Sequence, residues 1–442
     1  AKRAAISGFL YILLIFTCLY LTIPTIIYPL FMNKLVRVLC FSLFLLLPTY
    51  LVRFSVGGIP TTVLEILVLV FVAASAWHYA HTRTSPLPLL RNLRTNSPLL
   101  FWGTALFLAG ATISIFTAVD IRAAAGAWKA FFIEPVFFAI ILLDLGRKKI
   151  INPYKHIIVP LLACAAATAV YALYQYMHPE LIPAGFFVNE YTFRTTAWYG
   201  FPNGVGIFLG STFAFIFSVL AMRMKRMQEQ GLQHAPLFLL QSLLLVLFIF
   251  AILTARSTGA LVGIAAIMMT SLIMQKKFRK KSIGFIIVGI LFVLLLPPTH
   301  EFRQELLAQD RSGQIRRAMW SESIELIKDR PLLGAGLASY DERIAPYHTT
   351  VNGEGIEIFH HPHNLVLTMW THIGLLGLIG FVLIALSALQ HAYKLVKTIG
   401  YHESYRRAFE AFVAIMVMGL VDSPYIKNDW AIVFWAVVAI LF

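Results

Sequence analysis

Three histidines crowd the end of a long polar stretch, and their side chains suit proton transfer. They are His360, His361 and His363 in the segment HHPHN, directly before an apolar run. An imidazole titrates near neutral pH, so it can take a proton from a sugar hydroxyl and act as an acid afterward. A metal site and a purely structural set of polar contacts are the alternatives. The cluster has no cysteine and Pro362 excludes the helical spacing of a His-Glu-x-x-His zinc site, so the pattern favours acid–base chemistry over metal binding.

Two arginines provide a second chemical signal. Arg194 lies in NEYTFRTTAWYGFPNGVG and Arg256 lies in LTARSTGALVG, each next to an apolar run. A permanent charge at a membrane boundary is costly without a partner, and contact with lipid phosphates is one way to supply it. The planar fork of guanidinium donors also suits bidentate binding of a diphosphate. Two such arginines near one face favour a ligand site.

The elements that position these residues are membrane helices. Hydrophobic residues make up 59% of the 442 residues and charged residues only 13%, whereas soluble domains average roughly 45–50% and 25%. Apolar runs of about 18 residues or more must be helices in lipid, because no water satisfies their backbone. The net charge of +15 comes from short basic clusters between these runs, so no nucleic-acid-binding domain is indicated. The cysteines, all within apolar runs, are Cys18, Cys40 and Cys164.

The apolar runs predict an all-α, polytopic integral membrane bundle of about 12 transmembrane helices, with an extra one at the N-terminus. They lie near 7–31, 35–52, 58–80, 98–118, 124–144, 156–177, 203–222, 236–254, 257–275, 283–298, 364–389, 408–422 and 429–442. Basic clusters occupy every second connection, and the positive-inside rule places those connections in the cytoplasm. Arg194, Arg256 and the polar stretch from 298 to 363 are therefore expected to face outward.

The N-terminus breaks this alternation. Counting every run places the basic start, Lys2 and Arg3, outside. Met32 followed by Asn33-Lys34 and an apolar run looks like an ordinary start of a membrane protein. We therefore expect residues 1–31 to be an extra helix or a re-entrant segment, and residues 32–442 to form a single membrane domain.

The polar stretch 298–363 is too long for a casual connection between helices, and loops of that size are usually functional. Residues 314–328 show helical spacing of apolar side chains around Trp320, and Pro331 stops the helix. Gly334-Ala335-Gly336 then requires a tight turn. The sequence predicts a large, partly helical extracytoplasmic loop that ends at the histidine cluster.

Several segments are weak signals alone but specific in combination. His363-Asn364 is followed by GLLG from Gly374, Trp320 precedes RPLLGAGLASY, and both follow FRTTAWYGFPN and TARSTGALVG. In order, sidedness and spacing, the chain resembles the O-antigen ligase and O-antigen polymerase superfamily from roughly residue 32 to its end.

The resemblance implies a metal-independent, inverting glycosyltransferase without cofactors in the bacterial cytoplasmic (inner) membrane, working in cell-envelope and lipopolysaccharide biosynthesis. It would move a glycan from a polyprenyl-diphosphate carrier to an acceptor hydroxyl, with its active site facing the periplasm or cell exterior. Its partners would be that donor, a glycan, lipid or protein acceptor, and membrane lipids, with no nucleic acid. Carried onto this chain, His363 is the general base, and Arg194 and Arg256 bind the diphosphate. Supporting residues would be Asn364, His361 and Trp320, with His361 as an alternative base that the adjacent Asn364 disfavours.

Other functions remain open at this point. A ligase and a polymerase would share this chemistry and differ in the acceptor. A transporter or flippase of lipid-linked sugars would also need many helices and basic groups, but transporters carry broken helices and polar residues near the membrane midplane. A membrane scaffold leaves the loop and the histidines without a purpose. Because the unusual residues collect at one face, the sequence favours the enzyme.

Some charged residues lie outside this scheme. Glu65 and the pair Lys129 and Glu134 fall within apolar runs, where a charge normally faces the bundle interior or finds a partner. Lys129 and Glu134 are five apart on one helix, so partners on other helices are an alternative to pairing with each other. Asp422, Lys427 and Asp429 surround the last outward turn. They either pair structurally or line the site, and structural pairing is the favoured interpretation.

Overall fold

A computed structural model shows the protein as a bundle of helices. The structure describes residues 31–56, 59–183, 188, 193–231, 235–274, 284, 309–351, 354–355, 357–398 and 403–442. The predicted runs 7–31 and 283–298, and the first part of the polar stretch, lie almost wholly outside these residues. The expectation of an extra N-terminal segment lies outside them too.

Helices account for most of the regular structure in the described part of the chain. They are α1 (31–45), α2 (Val63–Thr82), α3 (Leu87–Asn96), α4 (Pro98–Phe116), α5 (Ile121–Arg147), α6 (Tyr154–Met177), α7 (Pro202–Gln230), α8 (Ala235–Thr254), α9 (Thr258–Met274), α10 (Arg311–Asp329), α11 (Tyr340–Ile344), α12 (Leu365–Thr398), α13 (Glu403–Met418) and α14 (Asn428–Leu441). Two small hairpins complete the set: β1 (Arg53–Val56) with β2 (Ile59–Thr62), and β3 (Thr350–Val351) with β4 (Glu354–Gly355).

The chain is an integral membrane protein built from helices, as its apolar runs predicted. Within the described ranges, 6 helices are long and apolar enough to cross a membrane, namely α2, α4, α5, α6, α8 and α12. Shorter apolar helices are Pro202–Phe217, Thr258–Met274 and Asn428–Leu441. The total of about 12 spans stays a prediction.

One predicted helix begins later than expected. The apolar run from residue 58 was expected to be helical throughout, but Ile59–Thr62 pairs with Arg53–Val56 as an antiparallel hairpin. The β-branched residues of IPTT favour a strand, and Pro60 suits an edge position. Helix α2 starts only after Thr62, whose hydroxyl accepts from Glu65 N while the Glu65 carboxylate accepts from Thr62 N, a capping box.

Helices α4 and α12 pack through glycines. A Cβ added at Gly110 would collide with the backbone of Gly377, and one added at Gly380 would collide with Phe107. Small residues allow such close backbone approach between membrane helices. The contact fixes α12, which begins two residues after His363.

The polar loop is fastened to the same helix. Ala335 N donates to Thr371 O at 2.7 Å, and Trp370 Nε1 donates to Pro331 O at 2.8 Å. Leu375 N donates to Leu332 O at 3.0 Å, where α12 is interrupted by Gly374 at φ 68°. The GLLG motif therefore provides the break into which the loop's proline–glycine turn packs.

The predicted loop helix is confirmed as α10. Asp310 caps it by accepting from Ser312 N and Gly313 N. On its buried side, Glu322 accepts from Thr349 N and Thr349 Oγ1 at 2.8 and 2.7 Å. These bonds hold the later part of the loop against α10.

Glu65 and Lys129 find partners on other helices, as expected, whereas Glu134 Oε1 is buried with no hydrogen-bond partner among the described residues. Lys129 Nζ lies 2.8 Å from Glu65 Oε2, which joins α5 to α2. Asn428 Nδ2 donates to Glu65 Oε1 at 2.7 Å. Through Glu65, α14 is tied to the same polar cluster.

Candidate active site

His363 occupies the last turn of the loop before α12, in a left-handed conformation with φ 47°. The following residues hold that turn in place. Asn364 Oδ1 accepts from Leu367 N at 3.1 Å, and Asn364 Nδ2 donates to Leu420 O at 3.0 Å. An asparagine satisfies a free N–H at a helix start in this way. Asn364 therefore positions His363 by anchoring its turn to both α12 and the segment after α13.

The imidazole of His363 contacts a carboxylate. His363 Nδ1 lies 3.0 Å from Asp422 Oδ1, with the side chains 17% and 9% exposed. An ionised carboxylate only accepts hydrogen bonds, so Nδ1 carries a proton, and in the neutral imidazole Nε2 has the lone pair. Asp422 was expected to pair structurally, and its observed partner is the imidazole of His363, the predicted base.

Asp422 is held in its ionised form. Burial alone would raise the pKa of this carboxyl, but the neighbouring His363 charge and hydrogen bond bring it below its ordinary value. Ser423 N also donates to Asp422 Oδ1, at 2.8 Å. Bonds to the charged form of a carboxyl stabilise it in this manner.

Arg194 connects to the same carboxylate through one side chain. Arg194 Nη2 donates to Asn203 Oδ1 at 3.0 Å, and Asn203 Nδ2 donates to Asp422 Oδ2 at 3.0 Å. Asn203 lies in the first turn of α7. A continuous chain of hydrogen bonds thus runs from Arg194 through Asn203 and Asp422 to His363.

Arg256 lies at the corner between α8 and α9, beside Arg194. Arg194 Nε donates to Ala255 O at 2.9 Å, and Arg194 Nη2 donates to Arg256 O at 3.1 Å. The Arg256 side chain is exposed and its backbone is left-handed, with φ 47°. Such a conformation costs a non-glycine residue about 1–2 kcal/mol and concentrates at functional sites. The structure therefore brings both predicted arginines to one corner.

The other two histidines are placed differently. His361 Nδ1 accepts from His363 N at 3.4 Å, and the two rings meet edge to face with centroids 4.6 Å apart. Burial, followed by the charge of His363, lowers the pKa of His361 to about 3. His360 is exposed and its Nδ1 lies 3.0 Å from Asp341 Oδ2. His361 is thus a neutral neighbour of His363, and among the described residues no carboxylate forms a hydrogen bond or an ion pair with it.

Trp320 lies on α10, away from this chain of bonds. Its indole Nε1 is buried and has no hydrogen-bond partner among the described residues. Within the residues that the structure describes, no hydrogen bond or ring contact joins Trp320 to His363, Arg194 or Arg256. The structure brings together His363, Asn364, His361, Arg194 and Arg256, but leaves Trp320 apart.

A caged lysine lies next to the Arg194 segment. Lys427 Nζ is 4.7–5.3 Å from the ring centroids of Tyr50, Tyr199, Phe201 and Trp430. Burial lowers the pKa of Lys427 to about 8. Asp429 accepts instead from Tyr199 Oη, at 3.1 Å. Lys427 was expected to pair structurally in this turn, and its partners are the aromatic rings that surround it through cation–π contacts. Two of these rings, Tyr199 and Phe201, lie between Arg194 and Asn203 in the sequence.

Asn203 was not singled out from the sequence, and the contact between Asp422 and His363 was not predicted. Asn203 sits in FRTTAWYGFPN, the motif that carries Arg194, but nothing in that motif indicates which amide or carboxylate its side chain would meet. Asp422 lies in the segment between α13 and α14, close to a second acidic residue, Asp429. Only the packing of α7 against α13 brings the two together.

Residues 243–382 match the family model described as O-Antigen ligase. The chain is also 24% identical over 148 residues to a protein of Salmonella typhimurium named O-antigen ligase, an alignment of 31% of this chain and 36% of that relative. Over these residues the chain is therefore similar to O-antigen ligases. The segment that matches this O-antigen ligase model includes Arg256, Trp320 and His363 together with the GLLG motif, whereas Arg194, Asn203 and Asp422 lie outside it.

Proposed function

We propose that this chain transfers a glycan from a polyprenyl-diphosphate carrier to an acceptor hydroxyl at the outer face of the bacterial cytoplasmic membrane. The contact between His363 Nδ1 and Asp422 Oδ1, at 3.0 Å, carries the proposal. It equips one imidazole as a base within the same bonded chain as Arg194. The similarity of residues 243–382 to the O-antigen ligase family model supports a glycan substrate.

His363 would act as the general base. Its Nδ1–H is fixed on Asp422, so the Nε2 lone pair accepts the proton of the acceptor hydroxyl as that oxygen attacks the sugar. The carboxylate then stabilises the imidazolium that forms. Positioned proton transfer of this kind typically contributes about 10²- to 10⁴-fold in rate.

The arginines would serve the leaving group. The bond from C1 of the sugar to the diphosphate breaks, and its electron pair stays on the phosphate oxygen. Arg194 and Arg256 lie at one corner, where guanidinium groups can bind that developing charge. Attack from the face opposite the diphosphate forms the new C1–O bond with inversion. The acceptor proton remains on His363 until it is released.

We propose that no metal takes part in this step. Among the described residues, no group of three or more His, Cys, Asp or Glu side chains could hold a metal ion. Transfer by the purified protein after extensive chelation tests this part of the proposal.

The experiment is transfer by the reconstituted protein from a polyprenyl-diphosphate glycan to a panel of lipid A core, glycan and protein acceptors. The acceptor that reacts separates a ligase from a polymerase. His363→Ala and Arg256→Ala should abolish transfer without reducing expression. The matched controls are His360→Ala and Arg317→Ala, whose side chains are exposed. Full activity in either active-site variant, or no transfer to any acceptor by the unaltered protein, would contradict the proposal.

A further inference from the structure

We propose that Asn203 is the positioning residue that joins the diphosphate site to the base, so that donor binding and removal of the acceptor's proton are coupled. The inference rests on the proposed function, because it takes Arg194 and His363 in the roles given above. Asn203 would touch neither substrate. It would act through the two groups that its amide connects.

The polarity of the Asn203 amide is fixed by its neighbours. A guanidinium only donates and an ionised carboxylate only accepts. Oδ1 must therefore face Arg194 Nη2 and Nδ2 must face Asp422 Oδ2, each at 3.0 Å. The reversed amide would place two donors together on one side and two acceptors on the other. Of the side chains of this size and shape, only an asparagine satisfies both contacts.

Local structure holds the amide at this junction. Asn203 follows Pro202 at the start of α7, and the preceding Phe201 ring contacts the caged Lys427 at 4.7 Å. Gly204 N donates to Phe201 O at 3.2 Å. The side chain is half-buried. A turn with these restraints presents the amide in one position between the two polar groups.

The coupling follows from the shared carboxylate. Oδ1 of Asp422 accepts from His363 Nδ1 and from Ser423 N, while Oδ2 accepts from Asn203 Nδ2. Each donor withdraws charge from a carboxylate, and a carboxylate with more charge stabilises an imidazolium better. Arg194 polarises the Asn203 amide, and a bound diphosphate would compete for the charge of that guanidinium. Donor binding is therefore expected to strengthen the base, and protonation of the base to strengthen donor binding.

The test compares two pH profiles of the reconstituted, full-length protein with a varied polyprenyl-diphosphate donor. The profile of kcat/KM reports the free enzyme, and that of kcat reports the enzyme with donor bound. In the unaltered protein, the acidic limb of kcat should lie at higher pH than that of kcat/KM. In Asn203→Leu, which keeps the size but removes both contacts, the two limbs should move together. Its kcat/KM should fall about 10- to 100-fold, the effect of a lost charge-assisted hydrogen bond.

A second variant keeps the inference testable if Asn203→Leu folds poorly. Asn203→Asp retains an acceptor for Arg194 but places a carboxylate against Asp422, so both acidic limbs should shift to higher pH. The matched control is Asn92→Leu on α3, since Asn92 Oδ1 accepts from Arg147 Nη1 at 3.1 Å. This control should leave both profiles unchanged.

The results separate this inference from the proposed function. If the unaltered protein transfers glycan and His363→Ala does not, the proposed function stands. The coupling is then overturned by an unaltered separation of the limbs in Asn203→Leu, or by unshifted limbs in Asn203→Asp. If His363→Ala transfers at the full rate, the proposed function itself fails.

Discussion

Asp422 receives donors on both of its carboxylate oxygens, and replacing it with asparagine leaves a single oxygen for all of them. His363 Nδ1 and Ser423 N approach Oδ1, whereas Asn203 Nδ2 approaches Oδ2. If the introduced amide keeps its oxygen toward His363, its NH2 group faces the NH2 group of Asn203. Rotating Asn203 to relieve that clash would turn its own NH2 group toward Arg194 Nη2. The change of one atom therefore disturbs every contact in the chain.

Asp422→Asn should lower both the rate of glycan transfer and the stability of the fold. The hydrogen bond between His363 and Asp422 is largely buried and charge-assisted when the imidazole is protonated. Its charged part is worth about 1.5–3 kcal/mol, so Asp422→Asn should lower kcat roughly 10- to 160-fold. The opposed NH2 groups leave a buried donor unsatisfied, which costs about 1–3 kcal/mol of folding free energy. A lower melting temperature should accompany the slower transfer.

The stability of the folded protein should depend on pH through Asp422. The pKa of Asp422 in the folded protein lies below its ordinary value, about 3.9 in an unfolded chain. Its ionised form therefore stabilises the fold above about pH 4, and that stability is lost as the pH falls through the folded pKa. The difference in melting temperature between the unaltered protein and Asp422→Asn should shrink below about pH 4.

The assay is the initial rate of glycan transfer by reconstituted protein, with thermal unfolding measured on the same samples. Asp341→Asn is the matched control, because Asp341 contacts His360 at the same 3.0 Å but on an exposed part of the loop. Its rate should stay within about twofold of the unaltered protein, since exposed ion pairs contribute little. The reasoning is refuted if Asp422→Asn retains the full rate, or if Asp341→Asn is equally slow.

Three further outcomes are expected. Burial lowers the pKa of Lys427 to about 8, so folding releases its proton above that pH. The stability of the unaltered protein relative to Lys427→Met should therefore rise between about pH 8 and 10.4. A difference in melting temperature that does not change with pH would show that the aromatic rings offset the burial. Gly110→Val should lower the melting temperature by forcing α4 from α12, at about 1–3 kcal/mol, whereas Gly126→Ala, which meets nothing within 4 Å, should not. Arg256→Gly should be about 1 kcal/mol more stable than Arg256→Ala because φ is 47°, although neither should transfer glycan; equal stabilities would contradict the strain.

Much of the helical part could be predicted because lipid leaves a long apolar run no alternative to a helix. The predicted run near 98–118 corresponds to α4 (Pro98–Phe116), and the predicted run near 236–254 corresponds to α8 (Ala235–Thr254). Helix α3 was missed because its short run, LPLLRNLRTN, is amphipathic and carries two arginines. The hairpin Arg53–Thr62 was missed because both of its strands adjoin apolar runs. Local composition thus identifies membrane helices better than the interfacial segments beside them.

The site could be predicted less completely. Histidine and arginine stand out in an apolar sequence because their charges need a reason, and this led to His363, Arg194 and Arg256. Asn203 carries no charge, so nothing marked it. Its role exists only through Arg194 and Asp422, which are nine positions before it and 219 positions after it in the chain. A neutral linking residue of this kind becomes visible only when the packing of distant segments is known.

The two left-handed residues of the site share a cause that connects fold to function. His363 and Arg256 each have φ 47° where a loop or corner meets a membrane helix. In both places the neighbouring backbone is held from outside: Leu365 N donates to Gly419 O at 2.6 Å, and Arg194 donates to the carbonyls of Ala255 and Arg256. Strained conformations persist only when their surroundings over-determine them. Here the residues that impose the strain, Arg194 and the segment leading to Asp422, also contact the proposed reactive groups. The proposed base and the proposed diphosphate site are therefore positioned by one network of hydrogen bonds. A substitution that relaxes either turn should alter the geometry of both sites.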